Sequence, residues 1–239
     1  MCIRDSSQWT PLNYDSEAAK AFFDQNTYNH PEMPERSHFA ELRGFMTKIS
    51  AKEAEMAVIA RGMHAWHENN SFCPKCGQLT IKTNAGWQRS CTHCKTQHFP
   101  RTDPVVIMLV KNGNNILLGR SHGWPEKMYS CLAGFMEPGE TIEAAVMREV
   151  YEETSIKVKN VKYLTTQPWP FPSSLMIGCV AEASSTKISV DPKEIEHAIW
   201  ISREEMLEVF SGSSDSIYPA RKGSIAHFLI KKWLVGEIK

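Results

Sequence analysis

The chain has 239 residues, 42% of them apolar, and Lys plus Arg equals Asp plus Glu at 27 each. Such a chain can build one large domain or a catalytic domain with smaller modules, and the motif order below favours the second. The neutral balance excludes a global field that would gather nucleic acid or anionic membrane, so any grip on a polyanion must be local, which points towards a metal.

No apolar run reaches the roughly eighteen residues of a membrane helix, and the N-terminus lacks a basic segment followed by an apolar one. A cytoplasmic protein with no membrane partner is therefore expected. Four of the seven cysteines form two C-x-x-C pairs, while Cys2, Cys131 and Cys179 are isolated. Paired knuckles and an odd total read as metal binding in a reducing compartment, not as a disulfide framework.

Residues 1–70 read as a short N-terminal region ending in a helix. Ser50 with Glu53 is a capping-box signature, and Met56, Ile59, Ala60 and Met63 recur at helical spacing, which predicts a helix over 51–67. Residues 71–100 hold Cys73-Pro-Lys-Cys76 and Cys91-Thr-His-Cys94, separated by fourteen residues with strand-like runs at 79–82 and 87–90. Two thiolate pairs at this distance suit tetrahedral Zn²⁺, one ion per chain; four sulfurs leave no position for water, so the ion is structural. His93 and His98 lie near enough to replace a thiol, although the spacing does not require them.

From residue 101 to 239 the pattern changes to short strands, expected at 105–110, 115–119, 128–136, 158–166, 175–183 and 198–201. Helices are expected at 141–154, 203–210 and 224–235. Strands and helices mix without regular βαβ alternation, which predicts an α+β fold, an α/β/α sandwich with a mixed sheet.

The helix at 141–154 carries the chemistry. On a wheel, Glu149 and Glu153 fall on the stripe that Ile142, Ala145 and Val146 define as apolar, whereas a solvated acidic face would lie opposite. Two carboxylates one turn apart against a core resist desolvation and demand either a raised pKa or a cation between them. Hard cations such as Mg²⁺ or Mn²⁺ take oxygen ligands and are commonly shared with phosphates. Gly134 and Gly139 fit a tight loop in front of that helix.

The run Gly134-x5-Glu140-x7-Arg148-Glu149-Val150-x-Glu152-Glu153-x-Ser155-Ile156 resembles the Nudix box, except that Ser155 stands where the pattern has glycine. That departure predicts a small cost in C-cap geometry. Downstream, Gln167-Pro168-Trp169-Pro170-Phe171-Pro172-Ser173-Ser174 resembles the array of the NADH pyrophosphatase branch of Nudix enzymes. Physically, three prolines read as a rigid extended segment, and Trp169 and Phe171 offer flat faces suited to a nucleobase or nicotinamide.

The resemblance covers roughly residues 60–239 and implies a site residue by residue. Glu149, Glu153 and the backbone carbonyl of Ala133 would hold Mg²⁺ or Mn²⁺, with Glu152 close by and Glu194 joining from a later segment. Phe99, Phe135, Gln167 to Ser174 and Ala226 would meet substrate, and a homodimer is implied. The implied activity is metal-dependent hydrolysis of the pyrophosphate bond of NADH or NAD⁺, with removal of an NAD cap from RNA as the same cut in a longer substrate. Glu153 is the first choice for ligand and general base, Glu152 the second. Two other readings stand beside it: an ADP-ribose or other nucleoside diphosphate-sugar hydrolase, and a zinc-ribbon nucleic-acid-binding module on a silent Nudix fold. Three intact glutamates speak against the last.

Overall fold

The computed structural model describes residues 42–238; the expectation for residues 1–41, Cys2 included, lies outside the described residues. The chain divides into two compact units, one reaching Arg101 and including Pro170–Pro172, the other comprising Thr102–Trp169 and Ser173–Lys239.

The first unit begins with a short helix α1 (Leu42–Phe45) and the predicted helix, α2 (Ala51–Asn69), which runs two residues further than expected. Its N-terminus closes as a capping box: the Glu53 amide donates to Ser50 Oγ at 3.3 Å and the Ser50 amide to Glu53 Oε2 at 2.9 Å. The ribbon follows as an antiparallel sheet of β1 (Thr80–Thr83), β2 (Gln88–Cys91) and β3 (Gln97–His98). Buried Arg89 binds the ribbon to the end of α2. Its Nε donates to Thr80 Oγ1 at 2.6 Å, and its Nη1 meets His67 Nδ1 at 3.1 Å. Burial lowers the His67 pKa, so the ring is neutral and Nδ1 can accept.

The second unit is built on β4 (Asp103–Asn112), β5 (Asn115–Arg120), β6 (Leu132–Phe135), β7 (Val158–Trp169), β8 (Ser174–Ala183) and β9 (His197–Ser202). The strand order is β7-β8-β4-β5-β9, with β6 also on β4; β4 and β8 are parallel and the other pairs antiparallel. On one face, α3 (Ile142–Thr154) packs Ala145, Val146 and Val150 against Val106, Met108 and Val110. On the other, α4 (Arg203–Ser211) and α5 (Ile225–Leu234) pack Met206, Leu229 and Trp233 against Ile107 and Leu109. Because both faces are covered, β4 reads as a continuous apolar run. The expected mixed-sheet α/β/α sandwich is the observed fold.

Two expected strands differ. Residues 128–136 hold a strand only over Leu132–Phe135, because Ser130 instead exchanges two hydrogen bonds with Gly119, at 2.9 and 3.0 Å, as an isolated bridge. The segment expected to be extended throughout 166–174 is a hairpin: β7 carries it to Trp169, the chain reverses, and Trp169 sits opposite Ser174 at the start of β8. Pro168 can sit inside β7 because that strand ends the sheet and one side of it needs no ladder amide.

The substituted C-cap behaves as the sequence predicts. Ser155 adopts the left-handed conformation, φ 57° and ψ 13°, that glycine would take without strain, and its amide donates to Tyr151 O at 2.7 Å. Its hydroxyl donates to Ser189 O at 3.1 Å, which offsets part of that cost. Ser155→Gly is expected to stabilise the protein by roughly 0.5 kcal/mol, seen as a small rise in the chemical-denaturation midpoint.

Candidate functional site

Thr141 caps α3 through its hydroxyl, which accepts from the Ala144 amide at 3.2 Å, and this fixes the phase of the glutamates that follow. Val146 and Val150 point into the core and carry the next residues round with them. Glu153 is only 8% exposed, and its Oε2 has no hydrogen-bond partner among the described residues. Its carboxyl is pushed up to about 8, first by burial and then by the charges of Glu149, Glu194 and Glu152. Burial also raises Glu149, against the pull of Arg148.

Gly134, on β6 opposite Val106, supplies the floor. A Cβ built there would lie 1.9 Å from Glu149 Cδ and 2.1 and 2.2 Å from its two oxygens, so the carboxylate rests directly on the glycine backbone. No side chain fits between them. Gly134→Ala is expected to displace Glu149 and to lower turnover about 10²-fold with the protein still folded, measured as kcat beside a circular dichroism spectrum.

Arg148 holds the acids apart. Its Nε and Nη2 grip Glu140 at 2.8 and 2.9 Å, Nη1 donates to Glu149 Oε1 at 2.8 Å and Glu152 Oε2 at 3.0 Å, and Nη2 reaches the Phe135 carbonyl at 2.8 Å. The bidentate pair holds the Glu140 carboxyl below the usual range. Glu149 and Glu152 thereby have fixed directions, while Glu153 turns inward with no such partner.

The donor set fits a hard divalent cation. A buried carboxylate oxygen that has no partner among the described residues and lies in the field of Glu149 and Glu194 is in deficit of positive charge, and all the donors are oxygens. Glu149 and Glu153 lie on α3, Ala133 beside Gly134 on β6, and exposed Glu194 in the turn before β9. Glu152 is exposed and bound to Arg148.

The first unit carries its own metal-binding group. The sulfurs of Cys73, Cys76, Cys91 and Cys94 all lie within 4.8 Å of one another, with the Cys76 sulfur 3.5 Å from those of Cys91 and Cys94. A tetrahedron with bonds of roughly 2.3 Å has edges near these lengths. Each knuckle is followed by a left-handed residue, Gly77 at φ 73° and Lys95 at φ 60°. The Thr96 hydroxyl beside Cys94 holds that thiol down to about 6, so it is a thiolate at neutral pH. His93 and His98 are not needed to complete the set.

The remaining sequence-predicted residues fall in several settings. Phe99 and Phe135 are exposed, in the first and second units respectively. Phe171 lies under the guanidinium groups of Arg43 and Arg61, at 4.5 and 5.7 Å, with buried Pro170 before it and exposed Pro172 after it. Trp169 is half-buried at the end of β7, where Pro168 is exposed. Ser173 Oγ donates to Asp103 Oδ2 at 3.0 Å, and Ser174 is buried. Gln167 spends its amide on the start of α5, donating to Gly223 O at 2.7 Å and accepting from the Ile225 amide at 2.8 Å. Ala226, on the first turn of that helix, packs into the core at 5% exposure. Sequence reasoning missed this clamp, because its partners stand 56 and 58 residues away.

A family model described as NUDIX domain matches residues 100–221, and one described as NADH pyrophosphatase zinc ribbon domain matches residues 68–99. The chain is 43% identical over 240 residues to the NAD-capped RNA hydrolase NUDT12 of Homo sapiens, across 95% of this chain and 50% of that protein. It thus spans about half the length of that relative. It is 35% identical to the mitochondrial NAD(P)H pyrophosphatase NUDT13 of Mus musculus, across 98% and 70%. It is also 35% identical to the NAD-capped RNA hydrolase NudC of Mycobacterium bovis, across 87% and 68%. A crystal structure of a NUDIX hydrolase from Nitrosomonas europaea shares the fold with a TM-score of 0.56 at 21% identity, covering 69% of this chain and 90% of that one. With the box on α3, the glycine floor beneath Glu149 and these matches in agreement, the chain belongs to the Nudix family.

Proposed function

We propose that the chain hydrolyses the pyrophosphate bond of NADH or NAD⁺ to AMP and the corresponding nicotinamide mononucleotide, and cuts the same bond in NAD-capped RNA. The observation that carries this is the buried, partnerless Glu153 oxygen in the field of Glu149 and Glu194. The names of the NUDT12, NUDT13 and NudC relatives support the substrate class.

Glu149, Glu153, Glu194 and the Ala133 carbonyl would hold Mg²⁺ or Mn²⁺, with Glu152 beside them. Bound there, such an ion neutralises the diphosphate and lowers the pKa of a water. The chain's own groups do the rest. Arg148 keeps Glu149 and Glu152 aimed, Gly134 lets Glu149 approach the backbone, and Glu153 Oε2 takes the proton of the water that attacks phosphorus. Phe135 and Trp169 offer aromatic faces to a base. The cysteine quartet holds one structural Zn²⁺, which favours a reducing compartment such as the cytoplasm. We take the active species to be a homodimer, in line with the family resemblance.

Phosphorus NMR of NADH with the protein is the test. Two monophosphate resonances are expected to replace the diphosphate signals with Mg²⁺ or Mn²⁺ and to be abolished by chelator. An unchanged diphosphate under both cations would overturn the proposal, and faster turnover of ADP-ribose in a parallel sample would reassign the substrate.

A further inference from the structure

Glu194 differs from the other acids of the site in how it is held. Glu149 and Glu153 are fixed by a helix packed on the sheet, whereas Glu194 is exposed in a turn before β9 and takes its place from that turn's backbone. The turn closes on itself at Asp191, whose carbonyl accepts from the Glu194 and Ile195 amides at 3.1 and 3.2 Å and whose Oδ1 accepts from the Lys193 amide at 2.9 Å. One long bond, Asp191 amide to Glu153 O at 3.3 Å, joins it to α3. The stronger ties come from the end of β5. The His122 ring meets Pro192 O at 2.9 Å; a carbonyl has no proton, so Nε2 carries the hydrogen and donates it. The Glu196 amide donates to Arg120 O at 2.9 Å, and Arg120 Nη2 pairs with Glu196 Oε1 at 3.1 Å. Arg120 is itself held, with its side chain only 13% exposed, its Nη1 on the Glu126 carbonyl and its guanidinium 5.7 Å from the centre of the Tyr129 ring.

We propose that Arg120 and His122 are positioning residues for Glu194: they clamp the turn on both sides of it, at Pro192 and Glu196, and so fix where its carboxylate stands relative to Glu149 and Glu153. This rests on the metal-site reading above. The Asp191 amide reaches the Glu153 carbonyl at 3.3 Å and the Ser189 amide the Thr154 carbonyl at 3.0 Å, so the turn lies against the end of α3, and a shift of the turn changes the cation's surroundings. Neither residue belongs to the Nudix box, and neither touches the acids directly.

Manganese binding to the full chain, followed by water-proton relaxation, is the test, with metal-free melting temperatures as a control for folding. His122→Leu and Arg120→Gln are each expected to weaken Mn²⁺ binding about tenfold. His122→Gln, which keeps an N–H donor, is expected to recover most of that loss. Glu196→Gln, on a half-exposed side chain, breaks the ion pair without touching Arg120 and is expected to weaken binding in the same sense. Each clamp variant is expected to add nothing to the loss caused by Glu194→Gln, since both act through the same carboxylate. Unchanged Mn²⁺ affinity in the clamp variants, or losses that add fully to that of Glu194→Gln, would overturn the proposal. If Glu153→Gln weakens Mn²⁺ binding and Glu194→Gln does not, the clamp has nothing to position and falls alone. If neither weakens it, the metal site itself is misassigned.

Discussion

Glu153→Gln is expected to abolish turnover of NADH, by about 10³-fold or more, with the fold intact. The substitution keeps shape and volume while removing both the charge and the basic oxygen. A second signature separates this from simple damage. The metal-free folded protein binds the Glu153 proton more tightly than the unfolded chain does, the carboxyl being raised from 4.5 to about 8. Its contribution to stability is therefore complete below about pH 4.5 and is lost as the pH climbs through about 8. At the alkaline end the buried charge costs on the order of a few kcal/mol. Metal-free Glu153→Gln should accordingly be more stable than the parent at pH 8 and should lack the decline across that range, as measured by urea denaturation at a series of pH values. A variant that turned over NADH normally, or that kept the full decline, would remove Glu153 from its assigned role. The same proton must leave when a cation arrives, so metal affinity should rise with pH over this interval.

Cys91→Ser is expected to have the largest effect on stability. Among the described residues the ribbon has almost no apolar core: Phe72, Leu79, Ile81, Trp87 and Phe99 are all exposed, while Cys73 and Cys91 are 1% and 2% exposed. The residues at its centre are therefore the ligands themselves. In zinc-binding peptides the metal contributes roughly 10–16 kcal/mol at neutral pH, more than three short strands could replace. Loss of one thiolate should release the zinc and melt β1 to β3. The readouts are zinc content near zero and loss of hydrogen-exchange protection at the paired amides of β1 and β2. The second unit has separate cores on both sheet faces and should keep its own melting transition. A Cys91→Ser protein that retained one zinc per chain and an unaltered ribbon signal would refute the structural role.

The parts of this protein that could be read from sequence are those set by local periodicity. Glu153 was placed against the core because Ala145, Val146 and Glu153 share one helical phase, and phase depends only on residue spacing. The start of α2 followed from Ser50 and Glu53 for the same reason. The cysteine quartet was legible because two short pairs fix their own geometry. What escaped depends on distant partners. Three prolines look alike in an extended segment and in a hairpin that reverses after Trp169, and only the register with β8 tells them apart. The pairing of Arg120 with Glu196 spans 76 residues and leaves no periodic trace. The bonds from the Gln167 amide to the backbone at the start of α5 likewise join residues too far apart in sequence for a local pattern to show.

The rim strand β7 has a further consequence for assembly. It carries exposed lysines at 159 and 162, irregular pairing between Lys159 and Lys162 and again between Tyr163 and Thr165, and Pro168 near its end. Like charges, kinks and a missing amide all discourage another chain from annealing alongside. Fibril-like stacking through this border is thereby discouraged.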